Sequence, residues 1–129
     1  MKDHKISVLL VDDQETMHSI LRHLLHEVGI HDIQSAHDGS EVPEGLQNGS
    51  FYRPDIIICD LHMEKMDGME MVSHLRRAKD FTPVLMLTGE TNELVLDVSL
   101  QVGVSKVLKK PISSKDLYAE IVTAVGFAN

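Results

Sequence analysis

Five short runs of Val, Ile and Leu, separated by longer stretches with helical apolar spacing, constrain this chain more than any other feature. The runs are Ile6–Val11, Ile33–Ala36, Asp55–Cys59, Pro83–Leu87 and Lys106–Leu108. Three of them are apolar nearly throughout, as strands covered by helices on both faces must be, whereas half-exposed strands alternate. Ile33–Ala36 is weaker and suits a sheet edge. Between the runs, Met17, Ile20, Leu21, Leu24, Leu25 and Val28 form one helical stripe that stops at Gly29. Met69, Val72 and Leu75 form a second, opening after Asp67-Gly68. Leu94, Val95, Val98 and Val102 form a third, closed by Gly103. Leu117, Ile121, Ala124 and Val125 form the last, with Ser113 or Ser114 as its cap. A weaker helix near Ser40 to Gln47 tolerates Pro43 only in its first turn. Strands alternating with helices in this way build an α/β domain around a parallel sheet with right-handed crossovers.

A chain of 129 residues, 43% of them hydrophobic, fits one globular domain. At this length roughly two-thirds of the unfolded surface is hidden on folding, so no disulfide or structural metal is required. The single cysteine, Cys59, lies in an apolar run and has no internal partner, which favours a reducing, cytoplasmic setting. No apolar stretch approaches the ~20 residues that span a bilayer. The N-terminal Met1-Lys2-Asp3-His4-Lys5 lacks the apolar core of a signal peptide. The formal net charge is −8 with Lys and Arg scattered, and the five aromatic residues (Phe51, Tyr52, Phe81, Tyr118, Phe127) are dispersed. Both features argue against direct nucleic-acid binding, which rests on clustered positive charge.

In open α/β sheets ligands bind beyond the carboxyl ends of the strands, so the residues following each run carry the functional information. The first run ends in Asp12-Asp13, the third in Asp60, the fourth in Thr88 and the fifth in Lys109-Lys110-Pro111. The second offers nothing comparable. Three carboxylates, a hydroxyl and at least one ammonium therefore meet at one rim. Two carboxylates ~4 Å apart would repel by about 4 kcal/mol at an effective dielectric of 20. Either their pKa values rise or cations share the site. A hard divalent ion with oxygen ligands, leaving room for water and phosphate, is the simplest remedy, and lysine adds a point charge suited to phosphate. Taken singly, each feature has a plainer reading: Asp12-Asp13 as a helix cap, Asp60 as a turn residue, Thr88 as a cap, Lys-Pro as loop. Their coincidence at four strand ends points to placing a phosphoryl group on a carboxylate.

Val11-Asp12-Asp13, Cys59-Asp60, Met66-Asp67-Gly68, Leu87-Thr88-Gly89 and Lys110-Pro111, in this order and spacing, make the chain resemble the receiver domain of two-component response regulators over essentially all 129 residues. The resemblance implies a flavodoxin-like (βα)5 fold, a doubly wound three-layer α/β/α sandwich with strand order 2-1-3-4-5. It implies that Asp60 accepts the phosphoryl group of a phosphohistidine. Asp12, Asp13, Asp60 and the backbone carbonyl of His62 would hold a magnesium ion. Lys110 would contact the phosphoryl oxygens while Lys109 points elsewhere by strand alternation. Thr88 would turn its hydroxyl toward the phosphoryl group, and Gly89 would leave the approach open. His62 and Glu90 stand where the family flanks the hydrolytic water, and are expected to set the phosphoryl lifetime. The implied partners are a sensor histidine kinase or phosphotransfer protein and a downstream target on the last two strand–helix units. The expected unit is a single receiver over residues 1–129, without an output domain, acting as a switch and not as an enzyme on external substrates.

Three departures stand out. Val107 occupies the switch position where the family usually has Tyr or Phe, so a rotating ring is not the readout. Glu64 replaces a common Pro in the loop Leu61-His62-Met63-Glu64, and Pro43 is unusual in the second helix. An aspartyl-phosphate phosphatase is the main rival from another class, but His62 stands where its second acid belongs and no cap domain is present. A phosphorylation-independent interaction module is the other, kept open by Val107. Asp12-Asp13-Gln14 excludes a dinucleotide site, having two charges and no glycine where a pyrophosphate would sit. His18, Arg22 and His26, with His23 nearby, read as a solvated helix face and not as a metal site. The seven methionines read as packing.

Overall fold

The computed structural model describes residues 5–128; the expectations placed on Met1 to His4 and on Asn129 lie outside them. Ten elements alternate: β1 (Ser7–Val11), α1 (Glu15–Glu27), β2 (Asp32–Ala36), α2 (Glu41–Asn48), β3 (Ile56–Cys59), α3 (Gly68–Arg77), β4 (Val84–Thr88), α4 (Glu93–Gln101), β5 (Lys106–Lys109) and α5 (Ser114–Ala128). All four strand pairings are parallel. The sheet order is β2-β1-β3-β4-β5, the flavodoxin-like (βα)5 arrangement that the resemblance implies.

Successive strand side chains point to opposite faces, and both faces are covered. Val8, Leu10, Ile56, Ile58, Leu85 and Leu87 pack with Leu21 and Leu25 of α1 and Leu117 and Ile121 of α5. Leu9, Val11, Ile57, Cys59, Val84 and Met86 pack with Val42 of α2 and Met71, Val72 and Leu75 of α3. Every residue of β1, β3 and β4 is buried, which explains their unbroken apolar runs. At the edge, β2 is buried only at Ala36.

The helix ends follow side-chain chemistry. Asp67 Oδ1 accepts the Glu70 N–H at 2.8 Å and opens α3. Asn92 Oδ1 accepts from Leu94 and Val95 at α4. At α5 the choice falls on Ser113, whose Oγ accepts the Asp116 N–H at 3.1 Å. Pro43 is the third residue of α2, inside the first turn as its missing N–H requires. Past α1 and α4, Gly29 and Gly103 adopt φ of 86° and 114°, which an L side chain would resist.

One helix turns a different side inward than its stripe indicates. In α4, Leu94 is 71% exposed and Val98 38% exposed, while Val95 packs on the sheet and Ser99 is fully buried. Leu96, Val98 and Leu100 make α4 apolar on several sides, so its period does not specify which side faces the core.

Gly68 fixes the height of α3 against the end of β3. A Cβ there would lie 2.5 Å from the Asp60 carbonyl oxygen and 2.9 Å from Met86 Cε, and the backbone oxygen cannot swing away. Gly68→Ala is expected to destabilise the fold by about 1–3 kcal/mol, read as a lower urea midpoint.

Candidate functional site

The sheet brings the carboxyl ends of β1, β3, β4 and β5 to one rim. Asp12 follows β1 directly, and its backbone N–H continues the ladder to Ala36 of β2 at 3.2 Å. Its side chain is buried, with Oδ1 accepting the Gln14 N–H at 2.9 Å. Asp60 follows β3, its N–H bonded to Val11 O at 3.0 Å and its Oδ1 to the Leu61 N–H at 2.7 Å. From the far side of β4, the Lys110 ammonium reaches back to both acids, 3.1 Å from Asp60 Oδ2 and 3.5 Å from Asp12 Oδ2. Lys109 is exposed and Lys110 half-buried, as strand alternation requires. The peptide bond between Lys110 and Pro111 is cis.

Asp13 is exposed. Among the described residues no three His, Cys, Asp or Glu side chains converge into a cluster. The crowding of three carboxylates expected from the sequence is thus relieved: two acids share one ammonium and the third faces solvent. Burial pushes the Asp12 carboxyl above its ordinary value, assisted by the charges of Asp60 and Asp13 and opposed by the Gln14 N–H and Lys110. Burial likewise pushes the Cys59 thiol up, which keeps it protonated and unreactive.

Thr88 is buried, its Oγ1 accepting the Glu90 N–H at 3.2 Å. The Glu90 carboxylate accepts from Asn92 N and Thr91 N, and its other oxygen meets His62 Nε2 at 2.8 Å. Those partners, Asn92 first, hold the Glu90 carboxyl below its ordinary value. The loops after β3 and β4 are thereby joined across the rim. A Cβ at Gly89 would meet nothing within 4 Å, so the approach is open there. Val107 is half-buried against the α2–α4 side of the sheet.

A match with known proteins completes this geometry. The profile of the response regulator receiver domain matches residues 8–122. The chain belongs to this family. The receiver is 32% identical over 114 residues to the alkaline phosphatase synthesis transcriptional regulatory protein PhoP of Bacillus subtilis, covering 88% of this chain and 46% of PhoP. It thus spans about half the length of that relative. Among solved structures it resembles the chemotaxis protein CheY4 of Vibrio cholerae, with TM-score 0.80 and 31% identity over 94% of this chain and 99% of that one. It also resembles the receiver domain of a signal transduction histidine kinase from Syntrophus aciditrophicus, with TM-score 0.81 and 27% identity over 96% and 92% of the two chains. Among the described residues of the receiver no helix is long and apolar enough to cross a membrane.

Two residues outside the expected set shape the rim. Asp38, two positions after β2, is buried and accepts from Ser40 N, Lys65 N and Met66 N at 2.8, 2.9 and 3.1 Å. It ties the β2–α2 loop to the loop carrying Glu64, so that loop is anchored despite lacking the proline. The signal was Asp38-Gly39 at the end of the one strand read as empty. His18 is the second. It is buried, not on a solvated face, and its Nε2 lies 2.8 Å from the Asp12 carbonyl. Arg22, on the same helix face, bonds Ser35 Oγ at 2.6 Å; this face packs toward the edge strand β2, which is too short on bulk to keep it apolar. His23 and His26 do stay exposed, His23 3.7 Å from Glu27 and His26 against the His31 ring.

Burial alone would push the Asp38 carboxyl up, yet the three backbone N–H groups and the Ser40 hydroxyl outweigh it and hold it below the ordinary 3.8. A carboxyl depressed on folding contributes stability that is complete above its unfolded value and is lost as pH falls through the folded one. Asp38→Ala is expected to cost about 1–3 kcal/mol at pH 7. The gap to wild type should close as pH drops below 3.8, which urea unfolding at a series of pH values checks.

Proposed function

We propose that Asp60 is the phosphoacceptor of this receiver, and that its phosphorylation, with a magnesium ion bound, changes which partner the domain binds. The observation that carries this reading is the Lys110 ammonium held between the Asp60 and Asp12 carboxylates at the rim of the sheet. In the step proposed, an Asp60 oxygen attacks the phosphorus of a phosphohistidine. The new O–P bond replaces the N–P bond, and the departing imidazole keeps the electron pair and takes up a proton. Lys110 exchanges its carboxylate contact for the phosphoryl oxygens.

The donor set suits a hard cation. Asp12 and Asp60 offer oxygens at adjoining strand ends, Asp13 stands exposed beside them, and all are oxygen ligands. These three, with the His62 backbone carbonyl, would hold the magnesium ion, which supplies positive charge to the transferring phosphoryl group. Phosphorylation adds about −1.5 to −2 charges to the rim. Thr88 would answer by giving up the Glu90 N–H and turning its hydroxyl inward. With Val107 in place of an aromatic ring, the change travels through the β4–α4 loop to the last two strand–helix units, as a shift between two packings. The donor proposed is a histidine kinase or a phosphotransfer protein, a partnership supported by the similar receiver within a histidine kinase. The downstream target is a protein and not nucleic acid, and the domain works in the cytoplasm as a single receiver unit whose only chemistry is its own phosphorylation and slow dephosphorylation.

Incubation with acetyl phosphate, followed by intact mass, tests the acceptor. The expected result is a gain of about 80 Da, one phosphoryl group, that requires both magnesium and Asp60 and is absent in Asp60→Asn. No adduct beside a control receiver that gains one would favour a phosphorylation-independent module on this fold. His62 and Glu90, paired at 2.8 Å, are proposed to set the lifetime by screening Asp60 from water. Replacing both with alanine is expected to change the dephosphorylation rate about tenfold or more, followed as the decay of the adduct; an unchanged decay removes them from that role.

A further inference from the structure

His18 spends a buried position on a polar ring. It is 2% exposed, its Nε2 lies 2.8 Å from the Asp12 carbonyl oxygen, and its Nδ1 is buried with no hydrogen-bond partner. A carbonyl oxygen only accepts, so the proton of this bond sits on Nε2 and the unmet atom is Nδ1. Half of the ring's hydrogen-bonding capacity is forfeited at a site where a leucine would forfeit none. Its one hydrogen bond goes to the Asp12 carbonyl, and a buried polar group is kept where such a bond satisfies it.

That contact bears on the rim directly. Asp12 is bonded through its N–H to Ala36 O and through Oδ1 to the Gln14 N–H, which leaves its carbonyl as the remaining backbone handle. The donor comes from a side chain and not from the helix backbone: α1 begins at Glu15, and the N–H groups of Met17 and His18 turn to Gln14 O. The Asp12 carbonyl belongs to the rigid peptide plane joining Asp12 to Asp13. Fixing that plane sets the ψ of one acid and the φ of the next, and so aims both side chains. His37 closes the ring in place from the β2–α2 loop, with ring centroids 4.5 Å apart, and is itself held by Glu15 at 3.3 Å.

We propose that His18 is a positioning residue for the phosphotransfer site, donating from Nε2 to the Asp12 carbonyl and thereby orienting Asp12 and Asp13 toward the divalent cation. This rests on the reading of Asp12 and Asp13 as cation ligands given above. Outer groups that orient ligands change metal affinity when removed, by about tenfold at the lower end.

The test compares wild type, His18→Leu and His18→Gln by isothermal titration with magnesium chloride, with circular dichroism to confirm folding. Leucine fills the space without a donor; glutamine carries an amide N–H at about the reach of Nε2. The expected result is magnesium affinity about tenfold weaker for His18→Leu and restored to near wild type by His18→Gln. A purely structural role would lower the melting temperature of both variants and leave affinity alone, and that outcome overturns the proposal. Should His18→Leu not fold, nitrogen-15 NMR of the wild-type ring decides: protonation at Nε2 supports the proposal, protonation at Nδ1 alone overturns it. A wild type that neither binds magnesium nor gains a phosphoryl group overturns the functional reading together with this proposal. A wild type that does both, matched by His18→Leu, overturns this proposal only.

Discussion

One ammonium between two carboxylates organises the rim. Asp12 is buried, and burial disfavours its charge; the Gln14 N–H and the Lys110 ammonium oppose that effect. The ammonium reaches the acids because β4 and β5 run two residues past the level at which β1 and β3 end, so that Lys110 leaves the sheet above Asp12 and Asp60 and reaches back to them. That offset follows from the parallel register, in which Val11 pairs with Cys59, Cys59 with Met86, and Met86 with Val107. The apolar strands thus do more than form a core. They hold four strand ends within a side chain's reach of one another, and Gly68 lets α3 close on the Asp60 carbonyl without disturbing them.

Sequence legibility tracked burial and spacing. The strands were readable because burial on both faces leaves runs such as Ile56 to Cys59 no polar position. The rim residues were readable because each sits immediately after such a run, where the ladder itself delivers it. The less legible parts are those decided by tertiary contact. α4 is apolar around much of its circumference, so only the packing of Val95 and Ser99 against the sheet decides which side turns in. His18 looks like any helix-surface histidine until β2 is placed beside α1 and the Asp12 carbonyl is found without a helical donor. Asp38 is hidden for a related reason: its three acceptor bonds go to backbone N–H groups, and no residue type at positions 65 and 66 announces them.

The loops of the rim are cross-linked in pairs by single carboxylates. Asp38 joins the loop after β2 to the loop after β3, and Glu90 joins the loop after β4 to His62. The two links differ in kind. Asp38 is buried and bound to backbone, an arrangement that specifies one geometry. His62 is 68% exposed in its pairing with Glu90, and an exposed pair is worth little and exchanges readily. The rim is therefore stiff on the α2–α3 side and yielding on the α4 side, the side of Thr88.

The yielding side leads into α4. Ser99 is its only fully buried residue, and that hydroxyl bonds back to the helix's own Val95 carbonyl and not to the sheet. Leu94 meanwhile is 71% exposed and Leu100 48%. A helix so lightly fastened contributes little to global stability and belongs to the first cooperative unit to open in native-state hydrogen exchange. Its amides would report on the rim as a meter does: any ligand that tightens the Thr88–Glu90 loop would slow their exchange, while the amides of β1 and β3 would still exchange only through unfolding of the whole domain.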